Sequence, residues 1–310
     1  MTGLSRRTLL NSFLALAGTQ ILASPSRAST SARLILLGVG GGPRPRAANS
    51  ASAQVIVINE RLYVVDCGDG VARQLALAGL PLNRLRHIFL THHHSDHNAD
   101  YGNLLSLAWA SGLGTRVDTW GPPPLRRMTR RFFDMNAYDL SIRVADEART
   151  PLPPLVHVHE ASQAGLVMKD ENVRVTSALV HHPPVTPAFA YRFDTRDRSI
   201  VISGDTAPSE NLVSLAKDAD ILVHEAYYPA AIERLAERVP NATRLRESIL
   251  SHHTSAEEAG RIAAAAGVGT LVLSHLVPPD DPSITDQMWI DAARMHFTGA
   301  IVLGKDLLEV

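Results

Sequence analysis

Thr91-His92-His93-His94-Ser95-Asp96-His97 packs four metal-competent side chains, His92, His94, Asp96 and His97, into one short stretch. It follows the apolar run Ile88-Phe89-Leu90, which reads as a strand, so the ligands occupy the turn at a strand's C-terminal end. Chelation explains the spacing. His92 and His94 can reach one ion, while Asp96 and His97, on the far side of the turn, can reach a second. Imidazole and carboxylate ligands suit a borderline divalent cation such as zinc. A histidine run can instead be a solvated loop or an incidental metal binder. An Asp-His pair at this offset after a strand argues against that reading.

Three strand ends far along the chain supply the remaining ligands. Val180-His181-His182-Pro183-Pro184 closes an apolar strand whose continuation the prolines forbid. Ser203-Gly204-Asp205-Thr206 closes Ile200-Val201-Ile202, and Ser274-His275-Leu276 closes Leu271-Val272-Leu273. A lone His or Asp in such a place is commonly a surface residue or cap, but three such ends beside the first cluster point to one shared site. The count also works chemically. His92, His94 and one histidine of the 181–182 pair complete one ion, and Asp96, His97 and His275 complete the other. Asp205 can place one carboxylate oxygen on each and hold the ions about 3.5–4 Å apart.

The 310 residues, 45% hydrophobic and 20% charged, suit a globular protein with a sizeable core. A net charge of -1 advertises no basic field for a polyanion, and the 14 histidines agree with a metal site. On this basis the expected partner is a small ester, with no stable binding of nucleic acid. Cys67, the single cysteine, excludes an intramolecular disulfide and reads as a small buried hydrophobe.

Residues 1–28 read as a twin-arginine export signal rather than part of the fold. Arg6-Arg7 precede a moderately apolar stretch from Leu9 to Ala23, and Ser24-Pro25-Ser26-Arg27-Ala28 offers a cleavage site. The stretch is shorter than the roughly 20 apolar residues of a membrane span. The expected location is periplasmic or secreted, with no integral span after processing. Residues 29–310 then form the enzyme domain. Strand-like runs recur at 33–37, 54–58, 62–65, 86–90, 173–180, 189–193, 199–202, 221–223 and 270–273, with helical patterns at 71–78, 101–110, 209–217 and 256–266. Ser255 with Glu258 predicts a capping box for the last helix. The stretch Gly121–Pro154, with Arg126, Arg127, Arg130 and Arg131, suggests a loop and helix over the core. Mixed elements of this kind argue for one α/β sandwich.

With these motifs the chain resembles the metallo-β-lactamase superfamily over essentially all of residues 29–310. The resemblance rests on Leu36-Leu37-Gly38-Val39-Gly40-Gly41-Gly42-Pro43, Val65-Asp66-Cys67-Gly68, the 91–97 motif, Ser203-Gly204-Asp205-Thr206 and Leu273-Ser274-His275. His224-Glu225-Ala226 and His253-Thr254-Ser255-Ala256 look like segments of its ribonuclease Z and arylsulfatase-like branch. The resemblance implies an αββα sandwich with a dinuclear, usually zinc, site at the sheet edges. It also favours His182 over His181, because the family's third histidine directly precedes the loop to a Tyr-Arg strand, here Tyr191-Arg192. His93, His181 and His252 are then expected outside the ligand set, and Asp66 is expected to orient a ligand histidine.

The expected chemistry is hydrolysis by water activated between two divalent cations. Asp96 would orient that water and accept its proton. His253, oriented by Glu225, would protonate the leaving oxygen. Only a hairpin fits between His182 and Asp205, where shorter ribonuclease Z enzymes commonly carry an arm that grips transfer RNA. With the export signal, that favours a small sulfate or phosphate ester as substrate. The alternatives are a ribonuclease Z-like phosphodiesterase on nucleic acid, a lactonase, a di-iron oxidoreductase on the same fold, which His94 opposes, and a metal-bound protein without turnover.

Overall fold

The computed structural model describes residues 31–310. The export-signal expectation falls on residues 1–28 and so lies outside the described residues.

Two sheets are built from strands whose alternate residues serve different layers. The first has the order β1-β2-β3-β4-β5-β6, comprising Arg33–Gly38, Ala53–Ile58, Arg61–Val65, Leu85–Phe89, Val117–Gly121 and Val156–Glu160. The second comprises β7 Gly165–Lys169, β8 Val173–Leu179, β9 Phe189–Thr195, β10 Ser199–Ile202, β11 Ile221–Tyr227, β12 Thr270–Val277 and β13 Ala300–Leu303, in the order β13-β12-β11-β10-β9-β8-β7. In β3, Leu62 and Val64 pack outwards with α1 (Val71–Leu77) and α3 (Tyr101–Ala110), which follows the short α2 (Ser95–Asn98). Tyr63 and Val65 turn inwards, where Phe89 meets Phe193 of the opposing sheet edge-on at 5.2 Å. Both faces are buried, which is why this strand reads as a continuous apolar run.

The second sheet's outer face is covered by α6 (Glu210–Leu215), α9 (Ala256–Ala266) and α10 (Asp286–Arg294). The layers are therefore helix, sheet, sheet, helix, as expected. The Ser255 capping box is present. Cys67 is fully buried in the core under α1. The arginine-rich segment differs from expectation, forming two helices, α4 (Leu125–Met135) and α5 (Ala137–Asp146). A helical pair α7 (Pro229–Glu237) and α8 (Leu245–His252) also lay outside the sequence reading. Pro229 at its first position was the available start signal for α7.

Parallel pairing aligns the strand ends. β3, β4, β5 and β6 run parallel, as do β10, β11, β12 and β13. The loops after β4, β10 and β11 therefore meet at one edge, the usual place for a site in such sheets.

Candidate metal centre

Each metal-competent side chain is aimed by a local device. The 91–97 motif leaves β4 and enters α2, so His92 and His94 precede the helix while Asp96 and His97 lie within it. Gly204 turns the chain ahead of Asp205 with φ +60°, and a Cβ there would come within 2.7 Å of the Phe189 carbonyl. His275 sits on a β-bulge. Ser274 pairs with Glu225 and Leu276 with Ala226, leaving His275 between them at φ +43°. Bulges re-aim a side chain in this way, and a non-glycine residue in that region is held by its surroundings.

The seven residues converge in two groups. In the first, His92 Nε2 and His182 Nε2 each lie 3.1 Å from His94 Nδ1, and Asp205 Oδ2 is 3.8–3.9 Å from the Nε2 atoms of His92 and His182. In the second, Asp205 Oδ1 lies 3.2 Å from His97 Nε2, and His275 Nε2 lies 3.2 Å from Asp96 Oδ2. Asp205 Oδ2 also lies 3.3 Å from His275 Nε2, so the carboxylate stands between the groups, with Oδ1 facing the second and Oδ2 facing both. The groups fit divalent cations. Nitrogens 3.1 Å apart approach the edge of a tetrahedron with metal–nitrogen bonds of about 2.0–2.1 Å. His97 Nε2 and Asp205 Oδ1 are buried without a hydrogen-bond partner. Buried carboxylates this dense are costly unless cations compensate them.

A surrounding layer fixes the rings. Asp66 accepts from His97 Nδ1 at 2.8 Å and from the Thr91 backbone amide and hydroxyl, and Thr91 Oγ1 contacts His92 Nδ1 at 3.0 Å. The orienting part expected of Asp66 is matched by this contact. Thr91 was not singled out from sequence, although its position between strand and motif was a usable signal. His182 Nδ1 donates to the His252 carbonyl at 3.0 Å, and Gly42 N–H donates to Asp96 Oδ2 at 2.7 Å. His93 turns away to the Pro122 carbonyl and Asn98, and His181 is exposed.

The electrostatics follow from this packing. Burial, with the charge of His97, holds His92 well below its ordinary pKa, and burial lowers His182 to about 4. Burial opposes ionisation of His97, yet Asp205, Asp66 and Asp96 carry it well above the ordinary value. Burial also opposes ionisation of Asp205, but His275 and His97 hold it well below the carboxylate range.

His253 and Glu225 form a pair beside the centre. His253 Nδ1 lies 2.7 Å from Glu225 Oε2, and Glu225 Oε1 accepts the Thr206 amide at 2.5 Å. Burial lowers His253, but the charge and hydrogen bond of Glu225 outweigh it and raise the ring to about 9. Burial raises Glu225 itself, with His253 pulling the other way. His253, His94, Asp96 and His275 line a cleft of about 360 Å³ whose outer wall is apolar, from Leu235 on α7 and Ile249 on α8.

A family model described as the beta-lactamase superfamily domain matches residues 61–276. A ribonuclease Z of Mycobacterium sp. (strain KMS) is 35% identical over 277 residues, covering 89% of this chain and 94% of the relative. A ribonuclease Z of Mycobacterium bovis (strain BCG / Pasteur 1173P2) is 32% identical over 280 residues, covering 89% and 97%. Among solved structures, the metallo-beta-lactamase fold protein YhfI from Bacillus subtilis has a TM-score of 0.66 at 21% identity, covering 90% of this chain and 98% of its own. Human tRNase Z, short form, has 0.65 at 22%, with the same coverage.

These relatives overturn the expected partner, a small-molecule ester with no nucleic acid binding. Neither feature that pointed to a small ester excludes a nucleic acid. A whole-chain charge of -1 says nothing about local fields. The missing arm does not discriminate either, since alignments this complete leave no room for a long insertion in relatives that carry the ribonuclease name.

Proposed function

We propose that this chain, which belongs to the metallo-β-lactamase superfamily on its ribonuclease Z branch, is a zinc-dependent phosphodiesterase that cleaves RNA. The chain is a hydrolase of that fold. The observation that carries the substrate reading is identity of 35% to a ribonuclease Z across 94% of its length, together with an intact seven-residue centre and the His253–Glu225 pair. His92, His94, His182 and Asp205 would hold one ion, and Asp96, His97, His275 and Asp205 the other. Divalent cations held by these residues would supply Lewis acidity, lowering the pKa of a nearby water and offsetting charge on the attacked phosphorus. Asp96 orients the attacking water and takes its proton, while Gly42 N–H fixes its carboxylate. Glu225 orients His253, which hands a proton to the leaving oxygen.

Purified protein loaded with zinc should cleave a structured RNA with a single-stranded 3′ extension, and chelation should abolish cleavage. Failure to cut any RNA while hydrolysing a chromogenic sulfate ester would overturn this reading. Elemental analysis should give two zinc ions per chain at saturation, and a plateau at one would remove one of the two groups.

The twin arginine carries a separate proposal, that the protein is exported. Changing Arg6 and Arg7 to Lys should leave unprocessed protein in the cytoplasm, as cell fractionation would detect. Unchanged appearance in the periplasm would refute it.

A further inference from the structure

Helix α4 has a charge pattern that the fold uses only in part. Arg126, Arg127, Arg130 and Arg131 are all exposed and, at about 100° per residue, occupy an arc of about 140°. The opposite side is anchored: Leu125 and Thr129 are buried, and Thr129 Oγ1 lies 2.8 Å from the Tyr101 hydroxyl. Arg126 is partly used, donating to the Val158 carbonyl at 2.9 Å, and Arg131 lies 3.6 Å from Asp134. Arg127 and Arg130 have no acidic partner among the described residues. Like charges four residues apart repel along a helix, so the 126/130 and 127/131 pairs do nothing for helix stability.

The helix also starts beside the 91–97 segment. The Pro122 carbonyl accepts from His93 at 2.8 Å and from the Leu125 amide at 3.2 Å, so one turn touches the metal motif and opens α4. At its far end Met135 is 75% exposed, and Tyr138 in the first turn of α5 is 80% exposed. Arginine forks match phosphate oxygens, and an exposed aromatic ring offers a stacking surface for a base. From Arg126 to Arg131 the helix axis advances about 7.5 Å, enough for about two phosphates of a strand.

We propose that the arginine face of α4 docks the phosphate backbone of the RNA cleaved at the metal centre. The inference rests on the reading of the chain as an RNA phosphodiesterase. An anionic membrane surface could meet the same charge, but the helix opens beside the metal motif, which favours the polymer that the site cuts.

The test uses the zinc-loaded full chain with Arg127, Arg130 and Arg131 all changed to Ala, which keeps helix propensity. The substrates are a hairpin RNA with a 3′ extension and bis(p-nitrophenyl) phosphate. The variant should lose about 10–100-fold in kcat/KM for RNA, mostly through KM, and nothing for the small diester. Two single-strand phosphate contacts at about 0.7 each should make the slope of log affinity against log salt shallower by about 1.4. The triple Lys variant should recover most of the loss, which a structural role for the arginines would not explain. If wild-type protein cleaves RNA and the Ala variant matches it in KM and salt slope, docking on α4 is wrong and the function stands. If wild-type protein hydrolyses the diester but neither binds nor cuts RNA, both fail. If the variant instead loses binding to phosphatidylglycerol vesicles with RNA KM unchanged, the face belongs to a membrane and the proposal is overturned.

Discussion

Asp205→Ala should remove metal and activity together. The Asp205 carboxylate stands between the groups, Oδ1 towards His97 at 3.2 Å and Oδ2 towards His275 at 3.3 Å and towards His92 and His182 at 3.8–3.9 Å. Without it the first group keeps three histidines and the second keeps Asp96, His97 and His275, with nothing to hold two ions at bridging distance. Charge stabilisation by a metal pair is worth several kcal/mol, and each 1.36 kcal/mol is tenfold in rate, so turnover should fall by about 10³-fold or more. Because the side chain is buried, Asp205→Asn is the companion variant: it keeps the shape and one coordinating oxygen, and should retain a single ion weakly. Metal content by elemental analysis and thermal unfolding of each variant decide the matter. Two tightly bound ions in a folded Asp205→Ala protein would sink the bridging assignment.

The convergence of the candidate ligands was legible because residues able to share an ion bring their own spacing. His92, His94, Asp96 and His97 lie on one turn, and the other three residues follow apolar strands that periodicity marks clearly. The fold was legible for a related reason: strands buried on both faces, such as Leu62–Val65, read as continuous apolar runs. What remained hidden lacks such a signal. β5 to β7 are short and partly polar, with histidines at positions 157 and 159. The wall formed by α7 and α8 mixes charge with small residues, so its contribution to the cleft emerges only from packing. The bulge that aims His275 depends on pairing between β11 and β12, a contact that no local pattern reports.

Substrate class was the least legible property, and the cause is specific. Averaged over 310 residues the charges nearly cancel, yet α4 alone holds four arginines against Asp134. A polyanion responds to a field over about a Debye length, roughly 8–10 Å, and not to the sum over a chain. Charge arguments about partners therefore belong to single elements once their exposed face is known.

His253→Ala should separate proton donation from metal binding. His253 lies outside the seven-residue set, with its Nδ1 engaged by Glu225 at 2.7 Å and its ring on the wall of the cleft. Metal content should therefore stay near two per chain while turnover falls by about 10²–10⁴-fold, the usual contribution of a positioned acid. The loss should be largest for diesters with poor leaving groups, such as the sugar hydroxyl of RNA, and should shrink for nitrophenolate, which departs unprotonated. The acid must carry its proton at working pH. Glu225 raises His253 to about 9, so the ring is protonated below that value and loses its proton as pH rises through it. Removing that charge with Glu225→Gln should move the alkaline limb of the rate profile to lower pH, because the stabilising partner of the imidazolium is gone. A merely structural role for Glu225 would lower the rate at every pH without moving the limb. Equal losses across leaving groups of widely different pKa would refute the acid role. Loss of an ion in His253→Ala would instead make it a ligand, and the third group that Asp205, Glu225, His253 and His275 can form would then need an ion of its own.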